Sequence, residues 1–85
     1  MTVSELRAAI EGLPDDMEVI LQKDAEGNGY SPLDVADPDA VYIADNTWSG
    51  DVYSMSWTHN DACMTKSEWK AIKAMPKCLV LAPVN

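Results

Sequence analysis

Hydrophobic residues recur along the first fourteen positions at helical spacing. Val3, Leu6, Ile10 and Leu13 form one apolar stripe, and Thr2-Val3-Ser4-Glu5 precedes it with the pattern of a capping box. In that pattern the Thr hydroxyl and Glu carboxylate satisfy amide donors left free at a helix start. Gly12 and Pro14 end the helix and Asp15-Asp16 makes a turn. A strand is then expected over Met17–Gln22, with Met17, Val19 and Leu21 facing inward. The same construction returns late in the chain. Thr65-Lys66-Ser67-Glu68 repeats the box, Trp69, Ile72 and Met75 supply the stripe, and Pro76 stops the helix. Cys78-Leu79-Val80-Leu81-Ala82, apolar on successive positions, reads as a buried central strand. Duplication of one ancestral unit would produce the two matching segments, but so would convergent capping and stopping of two short helices.

Between these units the periodicity changes to two. Ala40–Ala44 alternates with Val41 and Ile43 on one face, and Val52–Trp57 alternates with Tyr53, Met55 and Trp57 on one face. The link Asp45-Asn46-Thr47-Trp48-Ser49-Gly50-Asp51 is rich in turn formers, which predicts a hairpin. Residues 24–39 contain Gly27, Gly29, Pro32 and Pro38 and read as a long loop. The expected order is helix, strand, strand, strand, helix, strand. The predicted fold is α+β: a single domain over 1–85 with two layers, two helices packed on one face of a four-stranded, mainly antiparallel sheet.

Charge narrows the function. The chain carries a net charge of -8, and from Asp24 to Thr65 it has eight carboxylates and no lysine or arginine. Nucleic acid and anionic lipid need cations from a protein, so neither is an expected direct partner. The acidic start of the chain and the lack of a run of about 20 apolar residues predict a cytoplasmic protein without a membrane span. Cys63 and Cys78 are too few for a disulfide framework and are expected to remain thiols.

Four constellations carry residue types with possible chemistry. Asp24, Glu26 and Asn28 with Gly29 follow the spacing of a calcium-binding EF-hand loop, but the twelfth position is Val35 instead of Glu, and Pro32 interrupts the exiting helix. The bland reading is a polar glycine turn. His59, Cys63 and Cys78 are types that bind zinc, yet they lack a Cys-x-x-Cys pair and a fourth ligand. A cysteine nucleophile has a single histidine to serve it and no glycine-rich elbow, and no phosphate-binding loop is present. Neither an enzyme nor a resident cofactor or metal is expected. Trp48 stands in a polar turn, where it either folds back over the core or serves as an interaction anchor.

Several segments also resemble a known group. Thr2-Val3-Ser4-Glu5-Leu6, Leu13-Pro14-Asp15-Asp16 and Glu18-Val19 are similar to small accessory proteins of tailed bacteriophages and prophages, a family with no settled activity. Glu26-Gly27-Asn28-Gly29-Tyr30-Ser31-Pro32-Leu33, Trp48-Ser49-Gly50-Asp51-Val52-Tyr53 and Glu68-Trp69 extend the resemblance over most of the chain. It implies a bacterial cytoplasmic setting and action by binding host or phage proteins. The expected partner surface is Tyr30, Asp34, Asp37, Asp39, Asp45, Trp48 and Asp51, with the aspartates steering a basic protein and the aromatics anchoring it. Two alternatives remain: mimicry of nucleic acid to inhibit a host defence enzyme, and a calcium-binding module on the loop 24–35.

Overall fold

A computed structural model describes all residues, Met1–Asn85. The elements are α1 (Val3–Ile10), β1 (Ile20–Gln22), β2 (Tyr30–Ala44), β3 (Gly50–Ser54), α2 (Lys66–Lys73) and β4 (Cys78–Pro83). The fold is α+β, with two helices and an open four-stranded sheet that is mostly antiparallel. Its path runs β1-β2-β3, and β4 also pairs with β2. The chain divides into two compact units: Met1–Val35 with Leu81–Asn85, and Ala36–Val80.

In the first unit, α1 begins at Thr2, whose hydroxyl oxygen accepts from the Glu5 amide at 3.2 Å. The box is only half built. The Glu5 carboxylate accepts from the Thr2 hydroxyl at 3.1 Å, not from the Thr2 amide. The helix already leaves at Glu11, whose ψ of 134° is extended, and Gly12 at φ +82° then enters the left-handed region favoured by glycine. The strand expected over residues 17–22 pairs only from Ile20, in the register Ile20↔Pro32, Leu21↔Ser31 and Gln22↔Tyr30. Pro14 accepts from the Met17 amide, so the turn consumes residues that would otherwise extend the strand.

The expected loop over 24–39 is the largest discrepancy with the sequence reading. Only residues 24–29 form a turn, and β2 runs fifteen residues through Pro32 and Pro38. Proline fixes φ near −65° and lacks an amide donor, both tolerable in an extended segment where no ladder bond is required of that nitrogen. Pro32 contributes its carbonyl, which accepts from the Val84 amide at 2.9 Å. The Asn85 amide donates to the hydroxyl of buried Ser31 at 3.2 Å, tying the last residue to β2.

The second unit holds the apolar core. β2 and β3 pair as Ala40↔Ser54, Val41↔Tyr53, Tyr42↔Val52, Ile43↔Asp51 and Ala44↔Gly50. Directly opposed side chains share a face, so Val41, Ile43, Tyr53 and Asp51 lie on one side of the hairpin. Val41 is wholly buried there. Trp69 from α2 meets Tyr53 edge-on with ring centroids 6.4 Å apart, and Trp57 meets Tyr53 at 6.3 Å. α2 has the complete capping box, with Thr65 and Glu68 exchanging bonds at 3.1 and 3.2 Å. At its other end the Lys77 ammonium donates to the Lys73 and Met75 carbonyls, complementing the helix dipole. β4 does not carry the full burial expected of it. Leu79 and Leu81 are exposed while Cys78, Val80 and Ala82 are half-buried, the alternation of a strand covered on one face.

Two aspartates organise turns. The Asp24 carboxylate accepts from the Glu26 and Asn28 amides, and that of Asp61 from the Thr58 amide and hydroxyl. The Asn28 amide, helped by that of Glu26, holds the Asp24 pKa below its ordinary 3.8 against a smaller opposing effect of desolvation. The Thr58 amide and then its hydroxyl do the same for Asp61.

Trp69→Ala should cost about 3–5 kcal/mol, the usual loss for an excised core tryptophan. Thermal denaturation followed by circular dichroism measures it, and a loss below about 1 kcal/mol would mean that the indole is not what holds α2 to the hairpin. Lowered carboxyl pKa values predict a second outcome. The unfolded chain binds protons more readily at Asp24 and Asp61, so their contribution is complete above the unfolded value of 3.8 and is lost as pH falls through the lower folded values. The acid limb of stability against pH, scanned from about pH 5 to 2, should therefore be shallower in Asp24→Asn/Asp61→Asn than in the parent. An unchanged limb would show that these turns do not couple to folding.

Candidate functional site

The hairpin between β2 and β3 ends in a five-residue loop, Asp45-Asn46-Thr47-Trp48-Ser49. One side chain organises it. Asn46 Oδ1 accepts from the Trp48 amide at 2.9 Å, the Ser49 amide at 2.8 Å and the Ser49 hydroxyl at 3.1 Å. The Asp45 amide donates across the loop to the Ser49 carbonyl at 2.9 Å. Asn is suited to this task because its short amide reproduces a backbone acceptor within a turn. Gly50 closes the loop. A Cβ there would collide with the Ile43 carbonyl oxygen and stand 2.8 Å from Ala44 Cα, so no larger residue fits without displacing backbone.

This loop presents Trp48 with 83% of its surface exposed, which excludes the reading in which the indole folds back over the core. An indole of this exposure offers roughly 3–5 kcal/mol if a partner covers it, from an area of about 150–250 Å² at about 25 cal/mol per Å². Asp45 and Asp51 stand at the base of the loop. Asp51 faces Ile43 across the ladder and is thus diagonal to Asp45, a relation that spaces residues by roughly 7–8 Å. Two carboxylates at that separation, both exposed, can share one lysine or arginine from a partner.

The remaining expected site residues fall elsewhere. Asp37 and Asp39 occupy the opposite end of the hairpin, where the Asp37 carboxylate accepts from the Asp39 amide at 2.9 Å. Asp39 and Asp45 are separated by about 20 Å of extended chain at about 3.3 Å per residue. Tyr30 and Asp34, both exposed, belong to the first unit with the opening residues of β2. The seven residues therefore do not form one group: Asp45, Trp48 and Asp51 gather at the hairpin tip, while Asp37 and Asp39 lie within β2 at the far end of the hairpin.

The sequence-derived metal candidates do not converge. No three His, Cys, Asp or Glu side chains gather at any point. Asp24 is engaged by amides of its own turn, and a His59 ring nitrogen lies 3.1 Å from the Met64 carbonyl. Cys63 is exposed at φ 56°, the left-handed residue that ends the turn begun by Thr58. Cys78 is half-buried on β4, and neither cysteine lines the groove between the end of α1 and β1.

That groove belongs to the first unit and was missed in the sequence, where Met17 and Val19 read as core. It has a volume of about 470 Å³ and is lined by the segment from Ile10 to Ile20. Ile10, Leu13, Met17, Val19 and Ile20 are each 48–54% exposed, and Asp15 and Glu18 complete the lining. Covering the exposed halves of these five residues is worth at most about 4–7 kcal/mol. Association itself costs at least about 4 kcal/mol, so apolar contact alone gives weak binding and any tight complex needs the charges as well. The signal available in the sequence was the close sequence of Gly12, Pro14, Asp15 and Asp16, which turns the chain before the stripe finds an opposing layer. No protein-family model, curated protein or solved structure matches the chain.

Proposed function

We propose that this is a non-enzymatic accessory protein that binds another protein bearing a basic surface, with the β2–β3 hairpin tip as its contact. The observation that carries the reading is the exposure of Trp48 on a loop held rigid by Asn46 and flanked by Asp45 and Asp51. An anchoring aromatic with its backbone already ordered loses little entropy on binding, and tryptophan is favoured at contact hot spots. The flanking carboxylates, on a chain of net charge -8, accelerate encounter with a cationic partner and disfavour nucleic acid. No helix is long and apolar enough to cross a membrane. The resemblance to phage and prophage proteins supports a bacterial cytoplasmic setting and a host or phage protein as the partner.

Tagged parent and Trp48→Ala proteins, used side by side to capture partners from bacterial lysate with quantitative mass spectrometry, test the assignment. A specific partner should be depleted with the variant, corresponding to about 2 kcal/mol or roughly thirty-fold in affinity, while the thermal melt is unchanged. Asn46→Ala should weaken the same interaction by loosening the loop, and Asp45→Asn/Asp51→Asn should slow association and reduce its dependence on salt. Equal capture by parent and Trp48→Ala would reject the hairpin tip as the contact.

A further inference from the structure

We propose that the groove between the end of α1 and β1 is a second docking site, one that takes a cationic amphipathic segment of another protein. Its apolar side would lie on Ile10, Leu13, Met17 and Val19, and its lysines or arginines would face Asp15 and Glu18. The site belongs to the first unit and does not depend on Trp48. α1 contributes no buried residue, so its apolar stripe has no complete cover within the chain. An amphipathic stripe without an opposing layer is a surface from which burial energy is still to be gained. Met17 adds an unbranched, polarisable side chain able to adjust to differently shaped apolar groups.

Charge decides among occupants. Asp15 and Glu18 are the charged residues of the lining and Glu11 and Asp16 adjoin them, while the cations Arg7 and Lys23 stand outside the lining at the two ends of the segment, so the groove itself carries one sign. A second copy of this chain would bring its own Asp15 and Glu18 to a two-fold contact, placing like charges together between molecules that each carry -8. A cationic segment instead neutralises these carboxylates as its apolar face covers the groove. The apolar side chains lining the groove are about half exposed, which suits a polypeptide segment better than a small molecule that must be largely enclosed.

The test uses the full chain and two labelled peptides of about 18 residues, five helical turns, with identical leucine spacing and either lysine or glutamate at every polar position. Fluorescence anisotropy should show that the lysine peptide binds, that binding weakens as salt rises, and that the glutamate peptide does not bind. Met17→Ser/Val19→Ser should weaken binding about tenfold or more. Asp15→Asn/Glu18→Gln should also weaken it and flatten the salt dependence, with circular dichroism melts confirming that both variants fold. Trp48→Ala should leave peptide binding unchanged. The proposal is overturned by no binding of the lysine peptide, by equal binding of the glutamate peptide, or by full affinity in Met17→Ser/Val19→Ser. It is likewise overturned if Trp48→Ala abolishes peptide binding, which moves the contact to the hairpin, or if sedimentation finds a dimer dissolved by Met17→Ser/Val19→Ser, which makes a second copy the occupant.

Discussion

The contact of the Trp69 indole with the Val41 and Tyr53 face of the hairpin is the interaction on which the second unit depends. Ala40, Val41 and Trp69 are the only buried hydrophobic residues of the chain, although hydrophobic types make up 47% of it. An antiparallel hairpin alone is marginal in water and needs a third element over its apolar face. α2 supplies it because its complete capping box and its lysine-rich end stabilise a helix of only eight residues, too short to persist unaided. Trp57 meets the same Tyr53 ring edge-on, so one aromatic cluster unites the hairpin, the following turn and α2. Without phenylalanine in the chain, this burden falls entirely on tryptophan and tyrosine.

The rigidity of the hairpin tip follows from that anchoring. Ladder pairs extend from Ala40↔Ser54 to Ala44↔Gly50, and the Met55 amide adds a bond to the Asp39 carbonyl at 3.0 Å. A paired stem fixes where the loop starts and ends, and Asn46 then fixes the path between. Trp48 is consequently presented from an ordered backbone even though its side chain has no cover. The first unit has the opposite character. Its order comes from hydrogen bonds, at the Asp24 turn, the β1–β2 ladder and the Val84 and Asn85 amides, while its large apolar side chains stay half-exposed.

Local signals accounted for much of what sequence could foretell. The start of both helices followed from Thr2 and Thr65, and the hairpin from two alternating runs around a polar link, because these depend on contacts within a few residues. The continuity of β2 was hidden by Pro32 and Pro38, which are usual loop residues yet are compatible with an extended backbone. The half-exposure of β4 was hidden as well: five successive apolar letters do not reveal whether one face or two will be covered. Of the expected binding residues, Asp45, Trp48 and Asp51 could be grouped from the sequence because a short hairpin brings its flanks together. Asp37 and Asp39 could not be separated from them without knowing that the intervening residues are extended. For the groove, the sequence offers only the turn formers Gly12, Pro14, Asp15 and Asp16, since a helical stripe states that a residue is apolar and leaves open whether anything covers it.

The charge and the exposed apolar groups are best understood together. A chain with uncovered leucine, isoleucine and methionine side chains would tend to self-associate, and a charge of -8 opposes that by repulsion at the same faces. The same repulsion destabilises the folded chain, since folding gathers its carboxylates into a smaller volume. A cationic partner would reverse both effects at once, by covering apolar surface and lowering the electrostatic energy of the fold. Mass action then links binding to folding, so that such a partner at a hundred times its dissociation constant adds about 2.7 kcal/mol to stability. For a domain whose own core contains three hydrophobic residues, that is a substantial fraction of what single domains ordinarily possess. Uncovered apolar surface and one-signed charge are therefore coupled properties, and a cationic partner that covered the one and neutralised the other would stabilise the fold beyond the free chain.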